Sequence, residues 1–349
     1  MTDVWNRLKN ADKPIALYGM GNGADKILSV FSDYGIKASG VFASDGFSRG
    51  NLFHGFPVIT YRETCETLGG DFIVVVAFAS SRQEVISNVR RIAAERETYI
   101  PDVPVAGDEL WTADFEKSHA DELARARALL CDARSREVFD LVCRARTTGG
   151  IGPLFASADP ADEAWDILRP ERYSSCADLG AYTGDTVRLL RERAPRLQSV
   201  YAVEPDRRSF AKLNACFQDS GLRFTAVRAA AWNTDGEALA FDDGAGRGSS
   251  VGKGGAETPT VTLDSLVGDR SAVDYIKFDV EGSEAEALNG SRRVIERCQP
   301  DLRVALYHRP GDIFRLTLAV NELLPRHKLY IRRAPSFPCW DIDLFAIGK

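Results

Sequence analysis

The chain has 349 residues, of which 44% are hydrophobic and 27% charged, so it is long enough for two domains that each bury a core. Its formal net charge of −6 predicts no general attraction to nucleic acid or to an anionic membrane. The seven cysteines form no C-x-x-C pair, which argues against a zinc site and a disulfide framework. The polar amino terminus and the short apolar runs predict neither a signal peptide nor a membrane span, so we expect a cytoplasmic protein.

The first hundred residues alternate short apolar runs with helical stretches. This alternation indicates a parallel sheet covered by helices, and we predict a small α/β domain over residues 1–108. The predicted strands are Pro14–Tyr18, Lys37–Ala43 and Phe72–Phe78, and the predicted helices are Ala24–Tyr34 and Ser81–Arg96.

A glycine-rich turn follows the first predicted strand. Gly19, Gly21 and Ala24 have the G-x-G-x-x-A spacing of a dinucleotide site, and Asp45 follows the second strand, where a ribose-binding acid would lie. About one hundred residues suffice for only one half of such a fold. Through residues 40–45 and 55–59 the region resembles the small Rossmann-like modules attached to sugar-modifying enzymes. That resemblance implies either a nucleotide or nucleotide-sugar at Gly19–Ala24, or a role in scaffolding or homo-oligomer assembly.

Residues 109–158 have a different pattern. Leucine, valine and phenylalanine recur there at helical spacing between charges, which predicts helices over Glu122–Leu130 and Arg136–Arg146. We expect the loop Thr147–Pro153 to close this segment. A packed helical connector is the simpler interpretation, and an interaction helix is the alternative.

From residue 159 to residue 349 the alternation of strands and helices resumes, and we predict a second α/β domain. No helix-length segment separates the last two predicted strands, so they should pair antiparallel near the end of a mostly parallel sheet. This is the layout of class I methyltransferases. Helices should follow the first two strands and cover Glu284–Arg297 and Ile313–Leu324. The predicted strands are Cys176–Leu179, Ser199–Val203, Phe224–Ala229, Val273–Phe278, Asp301–Tyr307, Lys328–Arg333 and Asp343–Ile347.

A second glycine-rich turn, from Asp178 through Gly180 to Gly184, joins the first strand of this domain to a helix. Its backbone can approach a ligand, and the free N–H groups of the helix favour an anionic group. Glu204 ends the next strand, 26 positions after Asp178, where an acid can accept hydrogen bonds from ribose hydroxyls. The pair predicts a nucleoside ligand, and the alternative for Glu204 is a surface residue that caps the following helix.

Several blocks of this half, in the right order, resemble the FkbM family of methyltransferases. They include Val261–Leu266, Asp274–Glu284, Asn289-Gly290, Gln299–Leu302 and Leu306–His308, together with the Asp178 turn and Glu204-Pro205. The resemblance implies that S-adenosylmethionine is the cofactor. It also implies a class I methyltransferase fold with the small Rossmann-like domain before it.

The same resemblance implies roles for individual residues. Asp178, Gly180, Ala181, Tyr182, Thr183 and Gly184 would surround the methionine part of the cofactor. Glu204 would hold the ribose, Ala230, Ala231 and Trp232 would border the adenine, and Asp279 would lie beside the cofactor. Trp232 as a plain core aromatic is the alternative. Tyr182 departs from the family, which more often has a small polar residue such as asparagine there.

Charged residues end the fourth predicted strand of this domain. Lys277, Asp279 and Glu281 alternate with apolar residues on what should be a buried strand, so the strand end should open into a polar cleft. Methyl transfer to a hydroxyl needs a base. We predict His308 or Asp279 as that base, with Glu281 orienting the acceptor. The alternatives are a strand-end cap for His308 and a helix N-cap for Asp279. The carboxylates could instead hold Mg²⁺, although no other residue in the sequence indicates a metal site.

The glycine-rich stretch 244–255 is predicted to be a mobile loop near the cleft that orders when the acceptor binds, and a solvated hairpin loop is the alternative. If Arg247 or Lys253 touches the substrate, the acceptor is anionic.

Three functions follow from these patterns. The leading one is transfer of a methyl group to a hydroxyl of a small-molecule acceptor, a sugar or secondary metabolite. A nicotinamide-dependent sugar oxidoreductase built on the Gly19 turn is the second, and it lacks a Tyr-x-x-x-Lys or cysteine-based site. A non-catalytic binding module is the third.

Overall fold

The protein is described by a computed structural model over residues 2–44, 46–47, 50–160, 162–241 and 256–348. Across these ranges the chain forms one large sheet in each half of the sequence, and a helical connector joins the halves. Asp45 and residues 242–255, which include the glycine-rich stretch, lie outside the described residues, and so do the predictions made for them.

The amino-terminal sheet has the strand order β3-β4-β2-β1-β5-β6, in which all neighbours are parallel except β3 and β4. The short hairpin between β3 and β4 was not predicted, because its two strands are brief and its turn relies on positive φ at His54 and Gly55. The strands are β1 Ile15–Tyr18, β2 Gly40–Phe42, β3 Leu52–Phe53, β4 Phe56–Ile59, β5 Ile73–Val76 and β6 Thr98–Tyr99.

Local signals explain where several helices of this half begin and end. Thr60 and Glu63 form a reciprocal capping box, and Gly35 ends another helix in the left-handed conformation that glycine adopts without strain. The helices are α1 Val4–Lys9, α2 Asn22–Tyr34, α3 Tyr61–Leu68 and α4 Gln83–Glu95.

The connector is helical, but the predicted loop Thr147–Pro153 is wrong over most of its length. One helix continues to Thr148, where Gly149 ends it with a φ of 63°, and the next begins only two residues later. Pro153 lies in the first turn of that second helix, where a missing N–H costs nothing. The helices are α5 Ala113–Ser118, α6 Ala120–Leu129, α7 Ala133–Thr148 and α8 Ile151–Ala156.

The carboxy-terminal sheet has the order β15-β16-β14-β13-β7-β8-β9. β16 runs antiparallel to both its neighbours and the other pairs are parallel, which confirms the predicted reversed strand near the edge. A small sheet with the order β10-β12-β11 lies beside it. The strands are β7 Ser175–Leu179, β8 Ser199–Val203, β9 Arg223–Val227, β10 Ala230–Ala231, β11 Ala238–Phe241, β12 Ala256–Val261, β13 Tyr275–Phe278, β14 Asp301–Ala305, β15 Lys328–Arg333 and β16 Ile342–Ile347.

The single helix predicted over Glu284–Arg297 is wrong, because the chain forms two helices there. The break is at Gly290, where a Cβ would lie 1.8 Å from the carbonyl oxygen of Trp232, so the backbones meet too closely for any side chain. The helices are α9 Glu163–Leu168, α10 Asp185–Arg193, α11 Arg207–Phe217, α12 Leu263–Val267, α13 Glu284–Asn289, α14 Arg292–Cys298 and α15 Asp312–Leu323. A short 3-10 helix at Pro170–Arg172 precedes β7.

One hydrophobic cluster runs through both halves of the molecule. It begins at Phe42 and Ile86 in the amino-terminal domain, continues through Phe139 of the connector, and reaches Ile276 and Phe314 beyond it. The connector is therefore packed on both sides, as a structural element rather than a free linker. Among the described residues, no helix is both long and apolar enough to cross a bilayer.

Candidate functional site

The turn after β7 depends on a glycine that no other residue can replace without displacement. Gly180 has a φ of 82°, and a Cβ there would lie 1.8 Å from the carbonyl oxygen of Asp279. The loops that follow the neighbouring strands β7 and β13 therefore touch through bare backbone. Gly184, with a φ of 81°, closes the turn against Phe217 and begins α10. These contacts leave the turn open on the side of a cavity.

Glu204, at the end of β8, holds that turn in place. One carboxylate oxygen accepts a hydrogen bond from the N–H of Tyr182 at 2.7 Å, and the other accepts from the N–H of Asp206 at 2.8 Å. Burial raises the pKa of Glu204 to about 7, although both hydrogen bonds act in the opposite direction. Each oxygen keeps a second lone pair for a ligand hydroxyl. Glu204 is thus buried at the cavity, and it does not cap the following helix, which Asp206 caps.

A cavity of about 580 Å³ lies at the carboxyl ends of the parallel strands, where open α/β sheets bind ligands. Of the predicted site residues, it is lined by Gly180, Tyr182, Glu204, Ala230, Ala231, Asp279 and Glu281. The structure does not bring the other predicted residues to its wall. Asp178, Ala181 and Gly184 are buried behind the turn, Thr183 and Trp232 are partly exposed outside the lining, and His308 is buried beneath it.

The charges predicted at the end of β13 are paired with one another. The ammonium of Lys277 lies 3.1 Å from Asp279 and 3.5 Å from Asp178. Burial raises the pKa of Asp178 to about 6, against the attraction of Lys277. For Asp279, burial acts upward too, but Lys277 and His308 outweigh it and hold the pKa well below its usual range. Asp279 is therefore an ionised carboxylate at the cavity wall.

His308 follows β14 and is completely buried among carboxylates. Its Nδ1 lies 2.9 Å from Glu284, and its Nε2 lies 3.4 Å from Glu281 and 3.6 Å from Asp279. Burial alone would lower the pKa of His308, but Glu284 and Glu281 raise it well above the usual value. A histidine that already carries its proton, away from the cavity, is a poor base. The geometry thus favours Asp279 over His308 as the proton acceptor.

Asp279 is not a helix N-cap, which was the alternative predicted for it. α13 is preceded by Ser283, and the backbone N–H groups of Val280 and Gly282 donate to the carboxylate of Glu284 instead. Asp279 accepts a hydrogen bond of 3.1 Å from the hydroxyl of Tyr307. The partners of Asp279 are therefore the side chains of Lys277, His308 and Tyr307.

Sequence reasoning missed much of the far wall of the cavity. Arg303 lies in β14 and Tyr307 lies two residues after its end, and their place shortly before the predicted His308 was the available signal. Phe337, Trp340 and Asp341 come from the segment between β15 and β16, which the sequence indicated only as a turn. The buried guanidinium of Arg333 shapes this segment by donating to the carbonyls of Ser336 and Trp340.

The amino-terminal domain also reaches the cavity. Residues 79–82, after β5, and Val105 contribute to the lining. Ser80 and Phe337 exchange two backbone hydrogen bonds, of 2.9 and 3.0 Å, so the two domains join at the cavity wall. Nothing in the sequence pointed to this loop, because its contacts are made with a segment more than 250 residues away in the chain.

The glycines of the first turn have a packing role. A Cβ at Gly19 would lie 2.7 Å from the ring of Phe78, and one at Gly23 would lie 2.6 Å from the carbonyl oxygen of Ala77. None of these residues lines the cavity described above. In the described ranges, no group of three or more histidine, cysteine, aspartate or glutamate side chains is arranged to hold a metal ion.

Several solved structures resemble the chain. A methyltransferase FkbM from Methylobacillus flagellatus has 19% identity and a TM-score of 0.74, over 96% of this chain and 90% of that one. An rRNA methylase from Streptococcus thermophilus has 14% identity and a TM-score of 0.36, over 55% of this chain and 98% of that one. A methyltransferase from Podospora anserina, bound to S-adenosylhomocysteine, has 10% identity and a TM-score of 0.33, over 70% and 100%.

The first of these likenesses establishes the fold, a class I methyltransferase domain preceded by a second α/β domain, and the other two are too weak to add to it. No curated protein matches the chain in sequence. Residues 178–331 match the methyltransferase FkbM domain family. The matched residues include the Gly180 turn, Glu204, the charged residues Lys277 and Asp279, and Tyr307. Residues 178–331 of this chain therefore resemble, in sequence and in fold, the methyltransferase domain of the FkbM family.

Proposed function

We propose that the protein transfers the methyl group of S-adenosylmethionine to a hydroxyl of a small-molecule acceptor, such as a sugar or a secondary metabolite. The observation that carries this proposal is a single cavity with two different ends. One part of its lining, the Gly180 end, contains Gly180 and Glu204, and another part, the Asp279 end, contains Asp279 and Tyr307; the two parts meet where Gly180 packs against the backbone of Asp279. The cavity volume of about 580 Å³ is within the range typical of small-ligand sites.

The Gly180 end fits the cofactor. The glycine lets the turn pack against the backbone of Asp279 at the cavity wall, and Glu204 is a buried acid with lone pairs left for two ribose hydroxyls. Ala230 and Ala231 are apolar residues of the cavity lining, and we propose that they contact the adenine base. When bound, S-adenosylmethionine supplies a methyl carbon activated by the sulfonium.

The Asp279 end fits an acceptor hydroxyl. Asp279 stays ionised, accepts the hydrogen bond of that hydroxyl and takes its proton as the new C–O bond forms. The depressed pKa of Asp279 is compatible with this role, because an oxygen that gains a methyl carbon becomes strongly acidic. Lys277, His308 and the hydroxyl of Tyr307 hold Asp279 in position, and Glu281 orients the acceptor.

Calorimetry with S-adenosylhomocysteine and with NAD tests the cofactor. We expect S-adenosylhomocysteine to bind and NAD to produce no heat at the same concentrations. Failure of S-adenosylhomocysteine to bind would sink the proposal.

Methyl transfer tests the chemistry. With labelled S-adenosylmethionine and a small-molecule extract, Asp279→Asn should slow transfer by about a hundredfold or more, while binding of S-adenosylhomocysteine changes far less. The matched control is Asp269→Asn, which removes a carboxylate that is 87% exposed and lies outside the cavity. Equal activity of the two variants would show that Asp279 is not the proton acceptor, and no transfer by the wild type would favour a binding module.

A further inference from the structure

The acceptor end of the cavity is built by two domains. The segment between β15 and β16 contributes Phe337, Trp340 and Asp341, and the loop after β5 contributes residues 79–82. A domain that merely flanked the methyltransferase would not supply part of its cavity wall. The amino-terminal domain therefore has the position needed to select the acceptor.

The loop after β5 is fixed against the methyltransferase domain. Ser80 exchanges two backbone hydrogen bonds with Phe337, and the ring of Phe78 packs edge-on against that of Phe337 with 5.4 Å between centroids. The N–H of Arg82 donates to the hydroxyl of Ser80 at 3.2 Å. The backbone of Arg82 is thus held at the cavity, although its side chain is 76% exposed.

Three of the described lining residues are cations, and their partners differ. Lys277 lies 3.1 Å from Asp279, and Arg303 lies 2.6 Å from Asp343. Both cations are paired with carboxylates of the carboxy-terminal sheet and the loop after β13. The guanidinium of Arg82 lies 3.8 Å from the carboxylate of Glu84, and the Glu84 side chain is 78% exposed. A contact of this kind contributes little and is easily exchanged for a ligand.

We propose that Arg82 binds an anionic group, a carboxylate or a phosphate, on the methyl acceptor. The inference rests on the proposed function, because it assigns the acceptor of that same cavity. A guanidinium presents two parallel N–H donors that match either anion. Asp279, Glu281 and Asp341 repel an anion from the other parts of this wall and attract hydroxyl groups. The acceptor is therefore oriented with its anionic group at Arg82 and its hydroxyls toward Asp279.

The test uses the whole protein saturated with S-adenosylhomocysteine and three sugars as probes. D-Glucuronate carries a carboxylate, D-glucose 1-phosphate carries a phosphate, and D-glucose carries neither. Calorimetry should give at least one charged sugar an affinity about tenfold or more above that of glucose. Arg82→Gln should remove the preference, and Arg82→Lys should keep part of it. The preferred charged sugar identifies whether the anion is a carboxylate or a phosphate.

The matched control is Arg62→Gln, which removes an 86% exposed guanidinium of the same domain that does not line the cavity. It should leave all three affinities unchanged, so that a loss with Arg82→Gln reports contact and not net charge. Glucose binding as well as both charged sugars, no sugar binding at all, or an unchanged preference in Arg82→Gln would each overturn the inference. In these cases, binding of S-adenosylhomocysteine would show that the proposed function still stands.

Discussion

Gly180 is the residue on which the cofactor end depends most. Its left-handed φ costs any other residue about 1–2 kcal/mol, and its Cβ would in addition overlap the carbonyl of Asp279 at 1.8 Å. Gly221 has a similar φ of 76° but nothing within 4 Å of its missing Cβ. The two positions therefore separate backbone strain from steric overlap.

We expect Gly180→Ala to lower the affinity for S-adenosylhomocysteine by at least about tenfold, because β7 and β13 must move apart. Gly221→Ala should introduce only the backbone strain and leave the affinity for S-adenosylhomocysteine unchanged. Calorimetry gives the affinities and urea unfolding gives the stabilities. If both alanine variants bind like the wild type, the contact between the two loops does not shape the cofactor site.

The proposed contact of Glu204 with the cofactor predicts that binding depends on pH. Burial raises its pKa to about 7, so below that pH the carboxyl is protonated, and donation from ribose hydroxyls favours the ionised form. Binding should therefore release protons, and affinity for S-adenosylhomocysteine should rise about tenfold between pH 6 and pH 8.

Calorimetry in buffers of different ionisation enthalpy measures this proton release. Glu204→Gln should bind more weakly and lose the pH dependence. Glu66→Gln, on the exposed face of α3, is the control and should keep both properties. Proton uptake on binding by the wild type would contradict the assignment.

Tyr182 shows what a sequence departure can mean physically. Its φ of 48° is a conformation that asparagine tolerates better than tyrosine, and asparagine is the residue that the family resemblance leads one to expect. The backbone conformation explains why a small polar residue suits the position. It could not be inferred from the sequence, because the turn is fixed by Glu204 from another strand.

At the level of elements, β13 carries its charges only because they pair with each other. Lys277→Met would leave Asp178 buried without a counter-ion and Asp279 with only the more distant His308, and we expect it to reduce the free energy of unfolding by about 3–5 kcal/mol. Asp178→Asn should cost clearly less, because Lys277 keeps Asp279 at 3.1 Å.

Urea unfolding of the two variants measures this difference. Equal losses would mean that Asp178, and not Asp279, is the main partner of Lys277. If Lys277→Met does not fold, the double variant Lys277→Met with Asp178→Asn should restore part of the stability, because one uncompensated charge is removed.

Elements with strong local patterns were predictable from the sequence. β8 matches its predicted bounds, and the reversed strand β16 follows from the lack of a helix before it. Errors arose where distant backbone decides the structure, as at Gly290, which separates α13 from α14 by contact with Trp232. In the site, the residues of β7, β8 and β13 were predictable from strand-end spacing. Arg82 and Trp340 were not, because the fold alone brings their loops together.

For the molecule as a whole, the connector ties the two domains through buried charge. Arg146 of α7 is completely buried, pairs with Asp102 at 2.9 Å, and donates to the carbonyl of Pro310 in the methyltransferase domain. The shared hydrophobic cluster crosses the same region. Neither domain can unfold without exposing the core and the ion pair of the other.

We therefore expect one cooperative unfolding transition in urea, coincident by far-ultraviolet circular dichroism and by tryptophan fluorescence. Ile86→Ala, in α4, should lower the stability by about 2–5 kcal/mol and move both signals together. Arg62→Ala on the surface is the control and should move neither. Two separate transitions, with Ile86→Ala affecting one of them, would show that the domains unfold independently.

The hydrogen-bonded contact between Ser80 and Phe337 has a consequence for how such an enzyme can change in evolution. The cavity residues proposed to hold the cofactor, from Gly180 to Ala231, belong to the carboxy-terminal domain, whereas residues 79–82 of the wall proposed for the acceptor lie more than 90 residues before Gly180 in the sequence. Substitutions in that loop can change the wall of the proposed acceptor site while the backbone contacts around Gly180 stay as they are. In this arrangement the amino-terminal domain can vary residues around the proposed acceptor site without changing those proposed to hold the cofactor.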